Sequence, residues 1–378
     1  MPASPEPAVR ISHLRLADLR NYVSLDLALT SRFVVLSGDN GAGKTNLLEA
    51  VSLLTPGRGL RRAAYGEIAR AGGSGGFSVK ARLASGGEEV EALTMVRAEP
   101  GSPPARTLKL DGAPARSVDE LQAHCRLLWL TPSMDGLFTG PAGDRRRFLD
   151  RLVLTLDPEH GRRSSDYERA MRGRNRLLSE DRRDESWLGA LEEQMAALGL
   201  AIALARSQTA QRLSMLLANR RAGSFPAAGL ALLSGYEPLD FHRPAVEIED
   251  EIARRLSRSR ALDRAAGRTL EGPHRGDLSV THLDKAMPAA LASTGEQKAL
   301  LVGLILAQAE LVSETSGLPP FLLLDEIAAH LDPGRRAALF DIVERLGVQS
   351  FMTGTDAALF EALEGRAQML TVCEGAVR

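Results

Sequence analysis

The run "GDNGAGKTNLLEA", Gly38 to Ala50, begins directly after the apolar "FVVLS" and leads into "NLLEAVSLL". Three glycines cannot build a packed helix face, but they let backbone N–H groups turn inward around an anion. The spacing Gly38-x-x-x-x-Gly43-Lys44-Thr45 is the P-loop pattern, and its context fits, with a β-branched strand before the loop and a helix after it. A glycine-rich turn with an incidental lysine is the alternative, and the strand-loop-helix order argues against it. Geometry then sets the roles: Gly41, Gly43 and Lys44 hold the β- and γ-phosphates, and Thr45 ligates Mg2+. With Gly38, Asn40 and Asn46 they form the expected cradle for ATP and Mg2+.

At 378 residues, 44% of them hydrophobic, the chain can hold one large domain or two modest ones with a sizeable core. A formal net charge of −1 excludes bulk basicity as a reason to bind nucleic acid, so such a partner needs a local patch. Cys125 and Cys373 stand far apart with no metal-ligand spacing, which points to a reducing compartment. "MPASPEPAVR" lacks a charged-then-apolar leader, and "ALLVGLILAQAELV" is broken by Gln308 and Glu310 short of the ~20 residues of a membrane span. The expectation is a cytoplasmic protein with no membrane partner.

"RISHLRLADLRNYVSLDLAL" (10–29) and "FSVKARLASGGEEVEALTMVRA" (77–98) alternate apolar and polar residues, which predicts antiparallel strands, the second set around a Gly-Gly turn. "RLLWLTP" reads as a buried strand. From Asp144 to Arg268 the chain turns helical and arginine-rich. There Leu188, Leu191, Met195, Leu198, Ile202 and Ala205 recur in steps of three and four, and Leu213, Leu216 and Leu217 resume the face. This is the core stripe of a helical lobe or a partner-binding helix. Strand signals return at "GDLSVTHLD", "PPFLLLDE" and "SFMTGT". The expected division is 1–143 with the P-loop, 144–268 as an inserted helical lobe, and 269–378 completing an α/β head.

"FLLLDE", Phe321 to Glu326, is an apolar strand ending in two carboxylates. Opposite a phosphate cradle, Asp325 would hold the Mg2+ shell and Glu326 would take a proton from an attacking water. Read without the P-loop, the same acids simply cap a strand. In "ASTGEQKALL", Ser293 and Gly295 head a long helix, as an anion-binding N-terminus or as a plain cap with Glu296 and Gln297.

The order of a small-residue cap, a long helix, a strand ending in Asp-Glu and then "HLD" resembles the ABC-type ATPases, with "STGEQ" similar to their signature motif. The resemblance implies a homodimer with two ATPs at its interface. Lys44 of one subunit would meet Ser293, Gly295 and Gln297 of the other, with Asp332 at the D-loop position. It narrows at "LRNYVSLDLAL", "GDNGAGKTNLLEA", "RRRFLDRLVLTLDPEH", "YERAMRGRNRLL", "GPHRGDL" and "STGEQKALLVGLILAQ", which together resemble the RecF family, related to the heads of SMC proteins. That family implies an ABC head with a mixed sheet, an antiparallel β subdomain and an inserted helical lobe. It also implies a slow, switch-like, DNA-dependent ATPase that binds duplex, gapped or junction DNA and helps load RecA with RecO and RecR. The chain departs from the pattern at "TPSMD", where the acidic pair is absent or displaced to Asp135, and at Gly276, where an acid is common. It lacks a clear Q-loop glutamine, and Thr353 and Thr355 stand where transporter ATPases carry a histidine, so the switch role stays open.

Arginines 162, 163, 169, 172, 174, 176, 182 and 183 stand against acids 166, 168, 180 and 181, and arginines 254, 255, 258, 260, 264 and 268 against Glu251 and Asp263. Several guanidinium forks on one surface give sequence-independent, salt-sensitive affinity for phosphates. A solvated face whose arginines pair with neighbouring acids is the alternative. Arg172 and Arg176 are the leading DNA contacts, with Arg58, Arg61 and Arg62 after the P-loop helix as a smaller patch. An ABC transporter subunit is the competing function, but it would need a groove for membrane helices where this chain places an arginine-rich lobe.

Overall fold

The computed structural model describes residues 9–85, 87–98, 101, 104–180, 184–218 and 223–378. The chain forms two compact units, one of Met1–Asp135, Ala222–Pro226 and Ser293–Arg378, the other of Gly136–Arg221 and Ala227–Ala292. The first unit is built on a sheet in the order Ala376–Val377, Ala367–Cys373, Phe33–Ser37, Ser350–Gly354, Phe321–Leu324, Leu127–Leu130. Its strands run parallel except for the terminal hairpin. "FVVL", "FLLL" and "LLWL" are buried along their whole length, as strands covered on both faces require.

A second sheet of this unit is antiparallel, in the order Tyr22–Ala28, Val9–Leu19, Phe77–Ser85, Glu88–Val96, Arg106–Leu110, Ala113–Pro114. It confirms the alternation read from the sequence: Leu14 and Leu16 face inward opposite Ala81 and Val79, while Arg15 lies opposite Lys80 on the outer face. The helix Lys44–Ser52 buries Leu47, Leu48 and Val51 in a core that both sheets share, with Leu14, Val34, Leu323 and Phe351. Burying each such side chain contributes about 1.5–3 kcal/mol. The P-loop is therefore mounted on rigid packing.

The second unit holds the helices Ala142–Leu154, His160–Ser179, Glu185–Ala218, Ala245–Arg258 and Arg260–Ala266. The predicted seam lies on one helix, where Leu188, Met195, Ile202, Leu213 and Leu217 are buried. Gly199 on that helix is obligatory, since a Cβ there would sit 2.0 Å from the Tyr236 hydroxyl. This unit is larger than the expected 144–268 segment. It takes in 136–143 and 269–292 and leaves Ala222–Pro226 to the first unit; the antiparallel pairing of Asp277–His282 with Ala228–Leu233 is what ties 269–292 to it. By length and composition alone, Glu185–Ala218 and Thr294–Ser316 could each cross a membrane; 44% and 72% of their most apolar stretches are buried in the fold. Gln308, read as an interruption, is fully buried within the second of these helices.

Candidate functional site

Gly38, Gly41 and Gly43 all have positive φ, at 142°, 84° and 120°. A Cβ on Gly38 would lie 2.3 Å from the Val372 carbonyl oxygen, and one on Gly43 would lie 2.6 Å from the Asn21 amide. Gly43 caps the helix Lys44–Ser52 and no side chain caps it, so the first-turn N–H groups are left to an anion. The Lys44 ammonium is buried and donates to the carbonyls of Gly38 (2.6 Å) and Asp39 (2.8 Å). An uncapped helix start, a backbone only glycine can follow and a buried cation over the loop together fit a polyphosphate.

The loop is braced from behind by residues that no periodicity marks. Asn21 donates to the Ala42 carbonyl (2.9 Å) and accepts from the Asn46 amide (2.8 Å), while the Tyr22 hydroxyl donates to the Gly43 carbonyl (3.0 Å). Burial raises the Tyr22 phenol well above its ordinary range, so it stays a neutral donor. Glu49, fully buried one turn into the helix, accepts a fork from Arg20 (2.7 and 2.8 Å) and a further bond from Arg61 (3.1 Å). The only trace of this in the sequence is "RNY", a polar turn between two alternating strands.

Opposite the cradle, the strand Ser350–Gly354 lies between the P-loop strand and Phe321–Leu324. This order brings Thr353 to Asp325: its hydroxyl donates to Asp325 Oδ1 (2.8 Å) and accepts from the Glu326 backbone N–H (2.8 Å). Thr45 donates to the same Asp325 oxygen at 3.0 Å. Asp325 is 5% exposed, and Glu326 has the left-handed φ of 56°. Among the described residues no group of three or more His, Cys, Asp and Glu could hold a metal. A hydroxyl and a carboxylate at this spacing suit Mg2+, which takes few protein ligands and leans on phosphate oxygens. Thr45, Asp325 and Glu326 are thus gathered beside the cradle, and Thr353, whose role stayed open, is the hub that joins the two acids.

The signature residues stand differently. Ser293 and Glu296 form a reciprocal cap: the Ser293 N–H and hydroxyl both donate to Glu296 Oε2, at 3.0 and 2.9 Å. Gly295 has open space where a Cβ would project, and Gln297 is buried. Lys298 pairs with Asp135 at 2.9 Å, which gives the displaced acid of "TPSMD" a partner. Asp332 caps the helix Pro333–Leu346 by accepting from the Arg335 N–H at 2.9 Å.

The arginines divide sharply. Arg174 is completely buried, bonded to Glu192, Asp263, Thr269 and the Leu256 carbonyl, and so belongs to the core rather than to a phosphate-binding face. Arg172 and Arg176 are 67% and 83% exposed, with loose i,i+4 partners in Glu168 (3.5 Å) and Glu180 (3.6 Å). Arg58, Arg61 and Arg62 are all exposed, and Arg61 also bonds Glu49 and Asn46. Arg182 and Arg183 lie outside the described residues.

The profile of the RecF/RecN/SMC N terminal domain family matches residues 10–376. A curated "DNA replication and repair protein RecF" of Rhizobium etli is 60% identical over 370 residues, covering 98% of each chain. One of Mesorhizobium japonicum is 57% identical over 368 residues, covering 97% of each. Among solved structures, the recombination mediator protein RecF-ATP in the RecFOR pathway superposes with a TM-score of 0.85 at 22% identity, covering 99% of this chain and 98% of that one. The Smc head domain of Pyrococcus furiosus gives 0.53 at 15% identity, with 98% and 95% covered. These two likenesses establish the head fold, mixed α/β.

Proposed function

This chain belongs to the RecF family, and from that premise we propose that it is an ATP-dependent DNA-binding protein of replication and recombinational repair. The observation that carries the reading is the convergence of Thr45 and Thr353 on one oxygen of Asp325, beside an uncapped helix start. Bound ATP and Mg2+ supply the γ-phosphoryl group and the charge that steadies its transfer to water. The chain's own residues do the rest. Cradle N–H groups and Lys44 orient the phosphates, Thr45 and Asp325 hold the metal, and Glu326 takes the proton of the attacking water. Thr353 positions both acids.

A second copy completes the site, its Ser293, Gly295 and Gln297 meeting the γ-phosphate and its Asp332 linking the two interfaces. Hydrolysis is slow and tied to DNA, so that ATP works as a clamp signal. The partners are duplex, gapped or junction DNA, together with RecO and RecR, since the solved relative is described in the RecFOR pathway. A cytoplasmic location follows from these partners. The transporter alternative is not favoured by similarity to RecF relatives over 98% of the chain. The test is ATP turnover with and without duplex, single-stranded and gapped DNA. Slow turnover raised by at least one of these is expected, and turnover indifferent to all three would overturn the DNA half of the proposal.

A further inference from the structure

Two motifs singled out in the sequence, "RRRFLD" and "GPHRGD", meet within the second unit. Arg145 clasps Asp277 through two bonds of 2.8 Å, and Arg206 clasps Asp150 at 2.7 and 2.9 Å while donating to the Pro273 carbonyl at 2.6 Å. His160 takes a further bond to Asp150. Burial works to raise the Asp150 carboxyl, but His160 and Arg206 hold it down at about 2. Both nearby carboxylates are therefore committed.

Two guanidiniums of the same cluster are left without one. Arg146 donates to the Gly276 carbonyl at 2.7 Å and makes no ion pair among the described residues. Arg275 is exposed and likewise has no acidic partner among them. The charges lie close enough to interact: partial burial, then Arg206 and Arg275, pull the Arg146 guanidinium below its ordinary value against Asp277 and Asp150. Arg275 and Arg146 also help burial to hold His274 down. The turn carrying Arg275 is rigid, since His274 is tied to the Thr269 carbonyl (3.0 Å) and the Tyr167 hydroxyl (3.1 Å). A Cβ at Gly276 would lie 2.6 Å from the Leu233 carbonyl oxygen, so the backbone there is fixed by close approach.

We propose that Arg146 and Arg275 form a preorganised site for a backbone phosphate of nucleic acid. Two like charges on a stiff frame, beside carboxylates already spent, gain most from an external anion. An exposed position favours a polyanion, because a small free phosphate keeps its water there, whereas a nucleic acid releases counterions at each contact. The inference rests on the DNA-binding half of the family reading and not on the nucleotide site.

The test titrates a fluorescent duplex against the protein, with and without saturating ATP, at several salt concentrations. Arg275→Gln should weaken binding about five- to tenfold at low salt and reduce the slope of log K against log salt by about 0.9. Arg275→Lys should keep most of the slope. The double variant Arg146→Gln with Arg275→Gln should lose more, with circular dichroism and ATP affinity at parental values. Parental slope and affinity in a folded double variant would overturn the site while leaving the family reading intact. Inorganic phosphate that binds the parent tightly and loses its site in Arg275→Gln, with duplex binding unchanged, would make this a free-anion site and overturn the proposal too. A parent that binds no duplex at all would remove both it and the DNA-binding reading.

Discussion

One threonine hydroxyl carries an unusual share of the site. Thr353 is 1% exposed, donates to Asp325 and accepts from the Glu326 N–H, so it fixes a side chain and a backbone turn together. Glu326 holds a left-handed φ that costs a non-glycine residue on the order of 1 kcal/mol, and this bond offsets part of that cost. Valine matches threonine in shape but leaves the Glu326 N–H without its acceptor and Asp325 Oδ1 with the Thr45 hydroxyl alone. Thr353→Val should therefore lower the unfolding free energy by about 1–3 kcal/mol and sharply reduce turnover, while ATP affinity, set by the cradle, changes little. Equilibrium denaturation and nucleotide titration check the two halves separately. Parental turnover in a folded variant would show that Glu326 needs no such positioning.

Among the elements, the helix Thr294–Ser316 has a double claim on its first residues. Its N-terminus is capped by Ser293 within the chain itself, so the plain-cap reading of "STGEQ" is satisfied by the fold. The proposed contact with a partner's nucleotide comes in addition, and two substitutions separate the roles. Ser293→Ala removes only the cap and should cost about 1 kcal/mol of stability with ATP-dependent dimers retained. Ser293→Arg adds bulk and charge at the proposed interface and should abolish those dimers while monomers still bind ATP. Light scattering with ATP reads the outcome, and normal dimers in Ser293→Arg would reduce the motif to a helix cap.

For the whole molecule, a net charge of −1 does not say which arginines are already paired with acids. Several described arginines of the second unit are spent on acids: Arg255 on Glu251 and Glu271, Arg260 on Glu185 and Glu192, Arg174 at the core. Arg172 and Arg176 have only exposed i,i+4 partners, each pair contributing about 0.3–0.5 kcal/mol, so they are available to phosphates. Arg172→Glu with Arg176→Glu should leave the fold and ATP binding intact, weaken duplex binding, and lower the salt slope by about two. Salt-dependent anisotropy measures it. Unchanged affinity and slope would move that surface to Arg58 and Arg62.

The sequence by itself determined the strand-loop-helix around Lys44, the strand ending in Asp325 and Glu326, the alternation of the antiparallel sheet and the stripe of the long helix. Each is a local pattern, in which glycine spacing or a period of 2 or 3.6 residues restricts the backbone directly. Tertiary structure alone decided which strand lies between the P-loop and Asp325, and so made Thr353 the hub. It also buried Arg174, drew Arg61 to Glu49, braced the loop with Asn21 and Tyr22, and brought residues 145–150 against 272–277. Those outcomes depend on contacts between residues 12 or more positions apart. A side chain's reading as core, surface or site depends on what packs against it, and no local period records that.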